Sequence, residues 1–251
     1  MRLPPSRACF AATMIGLGIL CLVQRDFPPI WSGVYKGLPA RAVVLYLCAL
    51  VSIATGVGLL VQRTTVLAAR VLLIYLLAWL VVFRIPQAFA HPTVEATWWE
   101  CGDTAVMASA AWILYSDKHM RIARAFYGLG LLPFGIAHFV YLKNTVDDVP
   151  AWLPWHVAWA YFTGAAFIAA GLAILSGRYA RLAAALSALM MALFTLLVWV
   201  PVLVTGPSAF QWAEFVNSWS LTAAAWVVAD SYRSMAWRKP ELAPQAVTDS
   251  L

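Results

Sequence analysis

"WWECGD" occupies residues 98–103 and "WAEFVN" residues 212–217, and each opens a long apolar run. In both, a tryptophan is followed at fixed spacing by a glutamate and then by an aspartate or its amide: Trp98, Glu100 and Asp103 against Trp212, Glu214 and Asn217. Thr104 and Ser218 come next, and Trp112 matches Trp226. A carboxylate inside an apolar helix is costly, so the same costly phrase written twice points to one unit copied. On a helix Glu100, Asp103 and Thr104 share a face, as do Glu214, Asn217 and Ser218.

The copy extends outward from these phrases. Laying each residue from Leu38 onward over the one 115 positions later aligns "LPARAVVLYLCALVSIATGVGLLVQR" with "LPWHVAWAYFTGAAFIAAGLAILSGR" without a gap. Leu38–Pro39 meet Leu153–Pro154, Tyr46 meets Tyr161, Gly56 meets Gly171 and Arg63 meets Arg178. Pro86 and Pro92 meet Pro201 and Pro207. The first helices align at 112, "IGLGIL" over "YGLGLL", which sets Asp26 against His138 and Cys21 against Pro133.

Hydrophobic residues make up 63% of the 251 and charged residues 11%. A soluble domain carries about a quarter charged, so this is a membrane protein. Windows of about 18 to 20 apolar residues cross a hydrocarbon core of about 30 Å as helix. Eight such windows are expected, at roughly 8–24, 42–62, 65–84, 98–116, 122–142, 152–176, 180–204 and 209–232. The expected fold is all-α and polytopic: two four-helix repeats, 1–117 and 118–233, and a disordered polar cytoplasmic tail, 234–251. Four crossings return the chain to its starting side, so the repeats are parallel and related by an approximate two-fold axis along the membrane normal.

The first segment, with Arg2 and Arg7 ahead of "ACFAATMIGLGILCLV", could be taken for a leader cleaved before Cys21. Leu20, directly before Cys21, is not the small residue that cleavage needs, and the repeat requires this helix.

The net charge of +6 is a topology signal rather than a mark of nucleic-acid binding. One side of the expected bundle receives Arg2, Arg7, Arg63, Arg70, Lys118, Arg121, Arg124, Arg178, Arg181, Arg233, Arg238 and Lys239. Only Arg25, Lys36, Arg41, Arg84 and Lys143 fall on the other. Both termini are then cytoplasmic, in a bacterial inner membrane. The four cysteines, Cys9, Cys21, Cys48 and Cys101, lack metal-binding or redox spacing and read as packing residues.

Polarity gathers on the outward side. Asp26, Glu95, Glu100, Asp103, Asp147, Asp148 and Glu214 fall there, with His91, His138, His156, Arg25, Arg41 and Arg84. An ionisable group at mid-membrane costs at least about 2.5 to 3.5 kcal/mol, so these faces must point into the bundle or its mouth. The plain reading is mutual neutralisation, Arg84 or Arg25 with Glu100 or Asp103. The alternative is a ligand or proton-handling site formed by Glu100, Asp103, Glu214, Asn217, His138, His156, Arg84, Arg25 and Asp26. No metal set converges in the sequence. Pro133, among Gly128, Gly130 and Gly135, reads as a packing kink or as a break that presents backbone to a solute. Trp31, Trp98, Trp99, Trp152, Trp155 and Trp212 are expected at the outer headgroup level.

A Gly-rich first helix, a proline-bearing outer loop ("FPPIW…LPAR", "DVPAWLP"), a second helix ending in Arg and a third ending in Pro resemble the DoxX family of four-helix membrane proteins. Residues 8–232 resemble two such units fused. The resemblance implies an accessory module of a quinone-linked redox or envelope system, with a redox-enzyme subunit as partner and a quinone or lipid at the outward mouth. It carries over no catalytic residue, and no electron-carrying cofactor is readable in the chain. A small-solute transporter and a non-catalytic assembly factor are the other functions the sequence allows.

Overall fold

The computed structural model describes residues 3–31, 33–34 and 37–235. Helix accounts for 81% of it, and no strand occurs among the described residues. The tail from 236 onward, with Arg238 and Lys239, lies outside the described residues, as do Arg2 and Lys36. The long helices are α1 (Pro5–Gln24), α2 (Arg41–Leu60), α3 (Thr65–Ala90), α4 (Glu95–Tyr115), α5 (Met120–Val140), α6 (His156–Ser176), α7 (Ala180–Leu203) and α8 (Ala209–Asp230). A short helix, Leu142–Asp147, follows α5.

Where the sequence suggests eight membrane spans, six helices are long and apolar enough to cross: α1, α2, α3, α5, α6 and α7. The last of these counts from Ala180 to Leu203, and the span of α5 includes the turn from Asp117. The two that fall short are α4 and α8, the helices that open with the repeated Trp–Glu phrase. Their position explains their composition. Every residue of α4 from Gly102 to Ala111 is buried, so no face of that stretch meets the surroundings. A helix shielded on all sides by others can carry polar side chains, provided its neighbours satisfy them.

Neighbour relations follow one scheme. Helices α1 to α8 form a closed ring in chain order, each packing on the next and α8 returning to α1, while α4 and α8 also meet across the middle. Thus α4 packs on the helix that follows it, and α8 on α1. The outward faces of the ring carry large apolar residues such as Leu47, Leu50, Leu67, Ile74, Leu186 and Leu189. So much exposed apolar surface would be untenable in water and is ordinary against lipid.

Two backbone irregularities recur 115 residues apart. Ala40 and Trp155, the residues before α2 and α6, both lie in the left-handed region at φ 58°. A widened π turn interrupts α3 at Leu80–Arg84 and α7 at Thr195–Trp199, with Ile85 N–H donating to the Leu80 carbonyl and Val200 N–H to the Thr195 carbonyl. The cause is in the sequence. Pro86 and Pro201 lack the donor an α-helix needs and crowd the preceding turn, and one five-residue turn absorbs the mismatch.

Close helix approach rests on small residues. A Cβ on Gly18 would stand 2.7 Å from the Ala49 carbonyl oxygen and 2.5 Å from Ile53 Cγ1; one on Gly135 would stand 2.6 Å from the Gly164 carbonyl oxygen and 2.4 Å from Ile168 Cγ1. Gly56 meets the Ala11 carbonyl as Gly171 meets that of Gly128. These contacts pair α1 with α5 at an offset of 117, where the letter match suggested 112. Both helices are apolar and Gly-containing throughout, so letter matching slid by five residues. Cys21 thereby corresponds to His138, and Gly16 to Pro133. The chain passes through Pro133 as continuous helix.

Trp31 also departs from expectation. It is fully buried, with its ring 4.9 Å from Tyr75 and 5.4 Å from Trp79, and is no headgroup anchor. Trp152 and Trp155, by contrast, are exposed.

Gly135→Val should lower stability in detergent by about 1 to 3 kcal/mol, because the new side chain meets backbone that cannot yield. Gly16→Ala, whose Cβ would lie 3.7 Å from Val216, is the matched control and should cost well under half as much in the same thermal unfolding series.

Candidate functional site

The π turn of α3 ends on Arg84, and the widened backbone delivers its side chain to the interior, where it is fully buried. Arg84 Nη1 donates to Glu100 Oε2 on α4 at 2.5 Å. Nη2 donates to the carbonyls of Pro29 and Ile30 at 3.1 and 3.0 Å. Those carbonyls belong to a short 3₁₀ turn, Pro29–Trp31, which folds inward from the loop after α1 and touches both α4 and α8. One turn beyond Arg84, Gln87 donates to the Gly33 carbonyl at 2.6 Å. Gly33, at φ 92°, holds a backbone shape a side chain would oppose, and a Cβ there would crowd both Gln87 and Arg84. The loop after α1 is thus stapled over the place where α4 and α8 meet.

Beneath the staple lie the other members of the repeated phrase. Asp103, on the same face of α4 as Glu100, feels the charges of Arg84, Glu214 and Glu100. Glu214 in turn senses Asp148, in the loop before α6. Outside the spans, desolvation and then the charge of Asp147 raise the Asp148 carboxyl above the ordinary aspartate range. Asp103 and Asn217, in equivalent positions of α4 and α8, are both buried, and the Oδ1 atom of each has no hydrogen-bond partner. A buried acceptor left unmatched costs about 1 to 3 kcal/mol. Two of them stand at matching positions of α4 and α8, though buried polar atoms without a partner also occur elsewhere, as at Ser52, Tyr75 and Glu95.

The second half treats the same region differently. Trp199 stands where the first half has Arg84, and the polar contact of the α7 π turn comes from Thr195, whose hydroxyl meets those of Ser218 and Thr222 on α8 at 2.8 and 2.9 Å. Hydroxyls replace the ion pair.

Not every residue of the sequence-derived set gathers here. Asp26 pairs with Arg41 at 2.6 Å on the exposed surface. Arg25 is exposed at the end of α1, so Arg84 alone of the two arginines takes the neutralising role with Glu100. His138 bonds through Nδ1 to the Phe134 carbonyl at 2.7 Å and stacks near Phe167 and Phe194, inside the second half. His156 is the first residue of α6, half-buried. Sequence reasoning missed Gln87 and the inward turn Pro29–Trp31. A lone amide in "RIPQAF", three residues after the arginine, was the available signal. Among the described residues no three of His, Cys, Asp and Glu converge as metal ligands. The four cysteines are free thiols.

Compared with protein-family models, curated proteins and solved structures, the chain matches none.

Arg84→Met should destabilise the protein by about 3 kcal/mol, since it strands a carboxylate and two carbonyls under the loop. Combining it with Glu100→Gln should recover part of the loss, as a double-mutant cycle of melting temperatures in detergent would register.

Proposed function

We propose that the chain is a tandem duplication of a four-helix membrane unit of the DoxX type, with all eight long helices crossing the bilayer and both ends on the cytoplasmic side of a bacterial inner membrane. Support for one-sided ends comes from Ser6, near the start of α1, which donates to Asp230 at the end of α8 at 2.5 Å. Support for duplication comes from the paired π turns, the paired left-handed residues and the matched glycine contacts. The two halves then correspond by a pseudo-two-fold axis that exchanges α4 and α8.

In this reading the seam of α4 and α8 binds the head of a lipophilic partner, a quinone or lipid, and the protein serves as an accessory module of a redox or envelope-maintenance system. The observation that carries it is the pair of orphan acceptors, Asp103 Oδ1 and Asn217 Oδ1, beside Arg84 and Glu100. Two acceptors facing a common seam suit a head group that brings hydroxyl donors, as a reduced quinone does, while Arg84 suits its carbonyl or oxyanion form. The Pro29–Trp31 turn would be the element that such a partner passes. Redox chemistry itself would come from a partner subunit.

A second reading has its own observation. Arg84 spends three of its donors on the protein itself, joining α3, α4 and the outer loop, which is what an assembly factor or scaffold would require.

The two separate by extraction. Protein purified in mild detergent should carry quinone or lipid detectable by chromatography of organic extracts. Asp103→Leu with Asn217→Leu should lower that content at least about tenfold, the value of one charge-assisted hydrogen bond. Equal content in wild type and double variant, with unchanged melting, would leave the scaffold reading standing.

A further inference from the structure

The interior of the first four helices holds a second cluster of buried polarity. Tyr75 Oη, Ser52 Oγ and the indole nitrogens of Trp31 and Trp79 are buried there, and each lacks a hydrogen-bond partner. They form one group: the Trp31 ring lies 4.9 Å from Tyr75 and 5.4 Å from Trp79, and Tyr75 lies 6.1 Å from Trp79. The Tyr75 hydroxyl has Cys48, Cys21 and Ser52 as neighbours. Cys21 and Cys48 are themselves only 0% and 2% exposed. Four unmatched polar atoms and two thiols thus share one buried place.

Helix packing sets the two thiols opposite each other. Gly18 of α1 nests between Ala49 and Ile53 of α2, and Gly56 of α2 between Ala11 and Ile15 of α1, so the two helices run antiparallel. Three residues onward from Gly18 along α1 is Cys21. Three residues back from the midpoint of its contacts on α2 is Cys48. The second half shows how close such a pair stands: His138 occupies the place of Cys21, and its Cβ lies 2.8 Å from the point where a Cβ on Gly164 would fall. Gly164 adjoins Thr163, the counterpart of Cys48. The Cα atoms of a disulfide lie about 4.4 to 6.8 Å apart. Helices packed through glycine approach to that separation. Because the cysteines belong to different helices, their spacing along the chain carries no redox signature.

The two halves differ in kind at this spot. Phe167, Met190 and Phe194 take the places of Ser52, Tyr75 and Trp79. An apolar interior serves the second half, so folding alone does not call for hydroxyl and indole groups in the first. Unmatched buried polar groups destabilise, and a small guest that both donates and accepts would match them.

We propose that Cys21 and Cys48 are a redox-active dithiol that a small hydroperoxide converts to a disulfide, with Tyr75, Ser52, Trp31 and Trp79 holding the oxidant. The burial of both sulfurs excludes bulky or charged oxidants, whereas hydrogen peroxide is small, neutral, a donor and an acceptor. Cys48, beside the Tyr75 hydroxyl, attacks the O–O bond. An S–O bond forms, the O–O bond breaks, and the departing hydroxide takes the thiol proton as water, leaving a sulfenic acid. Cys21 then attacks the Cys48 sulfur. The S–S bond forms, the S–O bond breaks, and a second water carries off the Cys21 proton. The thiol pair loses two electrons and the peroxide gains them. Indole N–H and phenol O–H groups around the departing hydroxide stabilise it as oxyanion donors do. The product pins α1 to α2. The inference needs no ligand at the seam of α4 and α8 and is independent of that reading.

Thiol counting on the full-length protein in detergent tests it. Wild type treated with hydrogen peroxide, at a dose that oxidises the exposed Met235, should fall from four titratable thiols to two once unfolded, and dithiothreitol should restore all four. Peptide mapping should find Cys21 joined to Cys48, with Cys101 and Cys9, which accepts from the Trp219 indole, still reduced. Neither measurement depends on a variant folding. Cys21→Ala should stop at a sulfenic acid on Cys48, which dimedone traps. Trp79→Phe, which installs the residue of the second half, should slow oxidation at least about tenfold, the value of one charge-assisted hydrogen bond.

Four thiols surviving that dose, or a disulfide that includes Cys9 or Cys101, would overturn the dithiol. An unchanged rate in Trp79→Phe would overturn the role given to the unmatched donors.

Discussion

Hydrocarbon offers no partner to a polar group, and the architecture of this chain follows from that one fact. Each backbone donor and acceptor within the bilayer must be met internally, which forces helix throughout. Each ionisable side chain must find a counterpart, which decides which helices go to the middle. Helices α4 and α8 carry the repeated carboxylate phrase and are too polar to face lipid along their length. They meet across the middle of the ring, and α4 is wholly buried from Gly102 to Ala111, while α8 keeps an exposed apolar face at Phe210, Trp212 and Trp226.

From that centre the geometry of the end that carries the loop after α1 develops. Pro86 and Pro201 each break one α-helical hydrogen bond, and the resulting π turns redirect the side chains at Arg84 and Thr195 toward α4 and α8. At one turn an arginine reaches a glutamate and two loop carbonyls. At the other, three hydroxyls meet. The same backbone device thus serves an ion pair in one half and a neutral network in the other. Such divergence between matching positions extends to the interiors, where Trp79, Cys21 and Ser52 of the first half stand against Phe194, His138 and Phe167 of the second.

Much of this was legible in the letters, and the misses have definite causes. The correspondence at 115 is anchored by prolines, an arginine and a tyrosine, residues that cannot be exchanged freely, and the backbone irregularities fall at that spacing. The match at 112 leaned on glycine and aliphatic letters, which slide along an apolar helix without penalty, and side-chain contact set it at 117 instead. Trp31 reads as an interface anchor by type, but the loop that carries it turns inward. Arg25 and Arg84 look equivalent as outward-side arginines; only the one on the π turn is aimed at the acids.

Composition and spacing alone determined that the chain is helical and rich in helices apolar enough to cross a membrane, because hydrophobicity acts locally and survives being read one residue at a time. They also nominated Glu100, Asp103, Glu214 and Asn217 as residues with something to explain. Which cation neutralises which acid, which acceptors are left unmatched and which cysteines stand opposite one another were decided only in three dimensions. Those outcomes depend on side chains from helices distant in the chain arriving within a few ångströms of one another, and no local rule encodes that distance.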